Sequence, residues 1–260
     1  MMEQVLEEGD TQALMDLVAR GESVDDHSAD GFTPLMSAAA FQRAECCEAL
    51  LSCLAQVDLP GKMGATPLLI ACQHGFVEVA DVLLKGGANI DAVLESGATS
   101  LNLACQMGHF ECVQLLLQNG ADPNIPSTSG YTPLMRACRS GHRGCAELCL
   151  GAGADANVIS LDGYTPMRIA CVENHPEVVA LLLEAGSPPD MECFWTRDDG
   201  TEGSLRPLEV ASGKGHEEIV EMLLAAGVSR ESIIKGLRWA QKRKARGCAQ
   251  LCQSALTQLA

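Results

Sequence analysis

Apolar positions return along this chain with a fixed spacing of 33 residues. Leu35, Leu68, Leu101, Leu134 and Met167 stand at one phase, and Ala38, Ala71, Ala104, Ala137 and Ala170 follow three positions later. Two residues before each of the first set stands a threonine (Thr33, Thr66, Thr99, Thr132, Thr165), four of them followed by proline. Each threonine is preceded at two residues by Gly31, Gly64, Gly97, Gly130 or Gly163. Later in the period, apolar runs such as Val82-Leu83-Leu84 and Leu181-Leu182-Leu183 precede Gly87 and Gly186, with Gly120 and Gly153 at the same phase. The pattern predicts turn, helix, turn, helix, turn. A threonine hydroxyl caps a free helix N–H, proline at the first helical position presets φ, and the later glycine ends the second helix in the left-handed conformation. A period of this length marks an array in which each unit buries its apolar face against its neighbours.

The segments Gly-Ala-Thr-Pro-Leu-Leu-Ile-Ala at 64–71 and Lys-Gly-Gly-Ala-Asn-Ile-Asp at 85–91 resemble ankyrin repeats. The resemblance implies a mainly α solenoid of stacked antiparallel helix pairs with projecting β-hairpin fingers, whose inner helices and fingers form a concave binding surface. It spans the whole chain, read here as one domain. Residues 1–27 form an N-terminal half-repeat cap, and 28–60, 61–93, 94–126, 127–159 and 160–192 form repeats one to five. An inserted finger at 193–200, a sixth repeat at 201–228 and a degenerate capping repeat at 229–260 complete the array.

The pattern breaks in four places. Ser100 replaces proline in the third repeat, and Leu54 stands where the helix-ending glycine belongs in the first, so that helix is expected to run on or end differently. In the sixth repeat Arg206 takes the place of the capping threonine. It follows Thr165 by 41 residues, an insertion of eight near Cys193-Phe194-Trp195-Thr196-Arg197-Asp198-Asp199-Gly200.

Composition narrows the chemistry. Cys72, Cys105, Cys138 and Cys171 recur at the 33-residue phase and read as reduced core thiols of a cytoplasmic or nuclear protein, not as disulfides. The acidic start Met2-Glu3-Gln4-Val5-Leu6-Glu7-Glu8 is unlike a secretory leader, and no apolar run approaches a membrane span. Gly151-Ala152-Gly153-Ala154-Asp155-Ala156 fits a dinucleotide-binding pattern, but in reversed context, with a helix ending at the glycines. His109, His142, His175 and His216 share one repeat position and read as turn residues. The pairs Cys145/Cys149 and Cys248/Cys252 lack further ligands nearby for structural zinc. No catalytic motif is present, so neither enzyme activity, metal nor cofactor is expected.

Charge is uneven. The chain carries a net charge of −16, yet residues 229–260 hold seven of its 18 basic residues against one acid, which leaves that segment at +6 and the remainder at −22. An acidic body argues against nucleic acid and favours protein partners with a basic surface. The cluster Lys242, Arg243, Lys244 and Arg246 reads either as an import signal or anionic-surface contact, or as the polar exterior that a terminal repeat needs.

From the geometry the resemblance implies, contact positions fall on the fingers and on the ends of the inner helices. Phe32, Phe41, Met63, Met107, Tyr131, Arg139, Tyr164, Arg168, Phe194 and Trp195 are the candidates. Interface hot spots favour aromatic and arginine side chains. The alternative for the rings is packing between neighbouring fingers, and for Phe194 and Trp195 folding back over the weakened sixth junction. Arg136, Arg139 and Arg168 are expected to form one basic spot for a partner carboxylate. The reading is a monomeric, non-catalytic protein-interaction module. Two alternatives stand beside it: a passive substrate of an asparaginyl hydroxylase at Asn124 and Asn157, and an adaptor directed by its basic tail.

Overall fold

The structure, a computed structural model, describes residues 1–196 and 202–259, without the side chains of residues 195, 196 and 202. The chain forms two compact units, Met1–Thr128 and Ser129–Ala260. In the first, α1 (Met2–Glu8), α3 (Pro34–Ala40), α5 (Pro67–His74) and α7 (Ser100–Met107) pack in succession. Each is backed by its own partner: α2 (Thr11–Ala19), α4 (Ala44–Ser52), α6 (Val77–Lys85) or α8 (Phe110–Gln118). In the second, α9 (Pro133–Ser140), α11 (Pro166–Glu173), α13 (Pro207–Lys214) and α15 (Arg230–Arg243) follow the same plan. Their partners are α10 (Arg143–Gly151), α12 (Pro176–Glu184), α14 (Glu217–Ala225) and α16 (Arg246–Gln258). A two-stranded antiparallel ribbon, β1 (Cys193–Thr196) and β2 (Glu202–Leu205), precedes α13, with Cys193 opposite Leu205. It occupies the inserted finger; residues 197–200 of that segment lie outside the described residues.

The five threonines make the helices as their spacing implies. Each hydroxyl accepts the backbone N–H three residues on, at 3.2–3.4 Å, and all five side chains are buried. Loss of such a cap costs about 1 kcal/mol. Where Ser100 replaces proline, Asn102 closes a reciprocal capping box by accepting the Thr99 N–H at 3.0 Å. In the sixth repeat Arg206 supplies no side-chain cap among the described residues.

Successive repeats are stapled by two devices. Asp25, Asp58 and Asp91 each accept a backbone N–H of the next repeat, from Gln56, Asn89 and Asp122, and Asp190 accepts that of Ser229 at the start of the capping repeat. The shared histidine position supplies the second. His109 Nε2 donates to the Gln73 carbonyl at 3.1 Å, His175 Nε2 to that of Arg139 at 3.3 Å, and His216 Nδ1 to that of Cys171 at 2.9 Å. These imidazoles are therefore more than turn residues, because they satisfy the last carbonyls of the preceding inner helix. In the first two staples the ring lies over a bare Cα, whereas Asn174 ends α11 and His216 bonds there through Nδ1 instead of Nε2. Gly75 and Gly141 end α5 and α9 at φ 77° and 76°, and a Cβ on either would lie 2.6 or 2.5 Å from the imidazole. Gln42 fills the equivalent position one repeat before Gly75, and there the partner is Phe76, which stacks on His74 instead.

The helix before Leu54 does not run on. It ends at Ser52, and Leu54 itself takes the left-handed conformation, φ 65°, with its side chain 87% exposed. All 13 cysteines are free. The four at the 33-residue phase are buried, and burial pushes the Cys138 and Cys171 thiols above their ordinary range, which makes them poor nucleophiles. Among the described residues no helix is long and apolar enough to cross a membrane.

Candidate protein-contact surface

In the first unit three candidates stand clear of the fold. Phe32 follows the finger glycine Gly31 and is 38% exposed. Met63 precedes Gly64 in the next finger and is 65% exposed, and Met107 closes α7 at 51%. The fingers of Phe32 and Met63 are fixed by backbone hydrogen bonds. Ser28 N donates to the Phe32 carbonyl at 2.8 Å, and Glu95 N of the next finger to that of Met63 at 2.9 Å. Phe41 caps the end of α3 and is half-buried.

The second unit corrects part of the expected surface. Tyr131 is only 7% exposed, since its hydroxyl donates to Asp162 Oδ2 of the next finger at 3.1 Å. Burial and the neighbouring Asp162 carboxylate push its phenol up to about 12. Its ring lies under the guanidinium groups of Arg136 and Arg139, at 5.0 and 5.8 Å from the ring centroid. Tyr131 is thus packing between fingers and not an exposed anchor. Arg168 does not join Arg136 and Arg139 in one basic spot. It is 5% exposed, its Nη1 donates to the Gly163 carbonyl at 2.8 Å, and its guanidinium sits 4.2 Å from the half-buried Tyr164 ring. Arg139 remains exposed, beside a small notch of about 120 Å³ that Asp162 and Glu173 also line. Asn124 and Asn157 are both exposed, with their N–H groups donated to Asp122 and Asp155.

Phe194 projects from β1 at 69% exposure. Trp195 pairs opposite Gly203 through the strand register, and its side chain lies outside the described residues. The ribbon is held to α15 by charge in place of the missing cap. Arg206 Nη2 lies 3.0 Å from Glu192 and 3.3 Å from Glu231, and Lys235 lies 3.0 Å from Glu231. Ser204 donates to Glu192 at 2.6 Å, and this bond, followed by Arg206, holds the Glu192 carboxyl below its ordinary value. Lys242, Arg243, Lys244 and Arg246 are all exposed across the end of α15 and the start of α16. Lys242 lies 5.4 Å from the Trp239 ring centroid.

Two features went unread in the sequence. Ile159, which closes the fourth repeat, and Leu161, in the finger of the fifth, project into solvent. Glu209 and Trp239 line a cleft of about 320 Å³ with Leu205, Val210, Gly213, Lys214 and Arg243. Alignment on the 33-residue phase could have found Glu209, because it stands where Met36, Leu69 and Met135 fill the core.

A family model of ankyrin repeats matches residues 1–94, 57–127, 87–159 and 144–232. Among solved structures, the crystal structure of the human ASB11 ankyrin repeat domain is similar to this chain, with a TM-score of 0.71 and 28% sequence identity. The similarity covers 86% of this chain and 96% of that one. No curated protein matches.

Proposed function

This chain belongs to the ankyrin-repeat family, whose repeats are generally protein–protein interaction modules, and from that premise we propose that it binds partner proteins through its fingers and inner-helix ends. The observation that carries the reading is the exposure of Phe32, Met63 and Met107 in one unit. Large apolar side chains stand at finger and helix-end positions there, while the repeat satisfies its own core with leucine, alanine and cysteine. Fingers held by backbone hydrogen bonds present such side chains with little ordering left to do on binding. The acidic body favours partners with a basic face. Thirteen free cysteines, twelve of them buried, suit a reducing compartment.

Affinity capture from the native cell, comparing the natural chain with a Phe32→Asp/Met63→Glu/Met107→Glu variant of unchanged melting temperature, tests the surface. Loss of specific partners from the variant supports the reading, and identical recovery overturns it.

A further inference from the structure

The cleft between α13 and α15 is built from departures that the repeat does not require. Gly213 stands where the preceding repeats carry Arg139 and Val172, and the Trp239 ring leans over it, with its Cε3 3.5 Å from where a Cβ would be. The missing side chain leaves the opening, and Leu205 of the ribbon and Val210 give it apolar walls. At its floor lies Glu209, 3% exposed. Polar residues at this repeat position elsewhere reach the backbone of their own repeat: Asn102 accepts from the Thr99 N–H, and Arg168 donates through Nη1 to the Gly163 carbonyl while its Nε stays open among the described residues. Glu209 is the acidic residue at this position, and its Oε1 has no hydrogen-bond partner among the described residues. A buried acceptor left open is costly unless a partner supplies a donor.

The donor's chemistry follows from the surroundings. Lys214 and Arg243 line the cleft, whereas Arg206 and Lys235 beside it are paired with Glu192 and Glu231, so a cationic anchor is opposed by the two like charges at the mouth. An uncharged donor carried on a ring fits apolar walls and an open acceptor together. Acidic neighbours in the same segment would meet the basic mouth.

We propose that this cleft binds an acidic peptide segment of a partner protein by inserting one tryptophan or tyrosine side chain, whose ring N–H or O–H donates to Glu209 Oε1. The proposal deepens the interaction reading above and rests on it.

The test is a fluorescence-polarisation titration of the full chain with labelled Asp-Asp-Gly-Trp-Gly-Asp-Asp. Saturable binding is expected, weakened about tenfold or more when alanine replaces the peptide's tryptophan or lysine its aspartates. Phenylalanine in that place should bind several-fold more weakly than tryptophan. Gly213→Leu, which fills the cleft from a helical position with room for a Cβ, should abolish binding. Glu209→Leu should lower the tryptophan peptide to the phenylalanine level while leaving the phenylalanine peptide unchanged, a result that a general folding defect would not give. Absence of saturation to about 1 mM, equal binding of the lysine-flanked peptide, or full binding by Gly213→Leu overturns the proposal. The Phe32/Met63/Met107 variant should bind the peptide normally. If peptide binding fails while that variant still loses captured partners, the cleft assignment falls and the interaction reading stands.

Discussion

Gly75→Ala isolates the histidine staple. Gly75 ends α5 at φ 77°, and alanine there meets the left-handed penalty of about 1 kcal/mol, partly offset by a less flexible unfolded chain. That much is shared by Gly87, which sits at φ 86° with open space where the alanine methyl would stand. At Gly75 the added methyl carbon would lie 2.6 Å from His109 Nδ1 and 2.8 Å from Cε1, so the ring must leave. Its departure gives up the 3.1 Å hydrogen bond to the Gln73 carbonyl, worth about 1 kcal/mol, and uncovers the end of α5. Gly75→Ala should therefore lose about 2 kcal/mol and Gly87→Ala about 1. In a His109→Ala background the Gly75→Ala loss should shrink to the Gly87 value, a coupling of about 1 kcal/mol. Urea denaturation followed by far-ultraviolet circular dichroism measures all four variants, and constant slopes would license comparison of midpoints. Equal losses at Gly75 and Gly87, or additivity of Gly75→Ala with His109→Ala, would refute the staple.

Leu54→Gly should stabilise the first unit by about 0.5–1 kcal/mol, since it removes the left-handed strain and discards a side chain that is almost wholly in solvent; a lower urea midpoint would contradict this. Thr132→Ala should lose about 1 kcal/mol by freeing the Met135 N–H at the start of α9, and Thr132→Ser should restore most of it in the same measurement. The Glu192 carboxyl is depressed below 4.5, so its contribution is present above that pH and lost as pH falls through its folded value; Glu192→Gln should flatten the acid limb of a melting-temperature profile. Glu209 has the opposite sign, because burial raises it: the folded chain holds the proton longer, and stability declines as pH rises from 4.5 through the folded value. Glu209→Gln should melt higher than the natural chain at pH 7, with the gap closing near pH 4, and a gap constant with pH would count against a buried acid.

The 33-residue period carried most of the architecture because each of its signals has a local physical cause. Threonine caps, proline at the first helical turn and left-handed glycines act within one repeat and therefore show in one line of sequence. The staples were half visible. The in-phase histidines were evident, but the way the ring seats depends on the residue that ends the preceding inner helix, a glycine for His109 and His175 and Asn174 for His216. The aspartate rungs at 25, 58, 91 and 190 follow the period too, and bond to a neighbour 31 or 39 residues on. Exposure was the least legible property. Phe32 and Tyr131 both follow a finger glycine, yet Phe32 stands in solvent and Tyr131 is buried, because Asp162 in the following finger reaches the phenol. The position in the repeat gives the direction of a side chain, and the neighbouring repeat decides whether it is covered.

The junction before α13 departs from this logic in a directed way. A capping threonine is absent, which forgoes about 1 kcal/mol. Arg206 in its place reaches Glu192 and Glu231, but exposed ion pairs return little, and Glu231 is well exposed. Three positions after Arg206, in α13, a site that is apolar in the first, second and fourth repeats is given to a glutamate without a partner for one oxygen among the described residues, and four residues beyond that a side chain is deleted altogether at Gly213. Each change lowers the stability of the repeat taken alone; Lys235 and Arg206 offset the buried Glu209 charge only in part, because burial still raises its carboxyl. Glu209 and Gly213 lie on one helix and line one cleft. Departures from local rules are expected at functional sites, and two of them meeting in one cleft make the proposed peptide site the place at which to test the chain's own specificity.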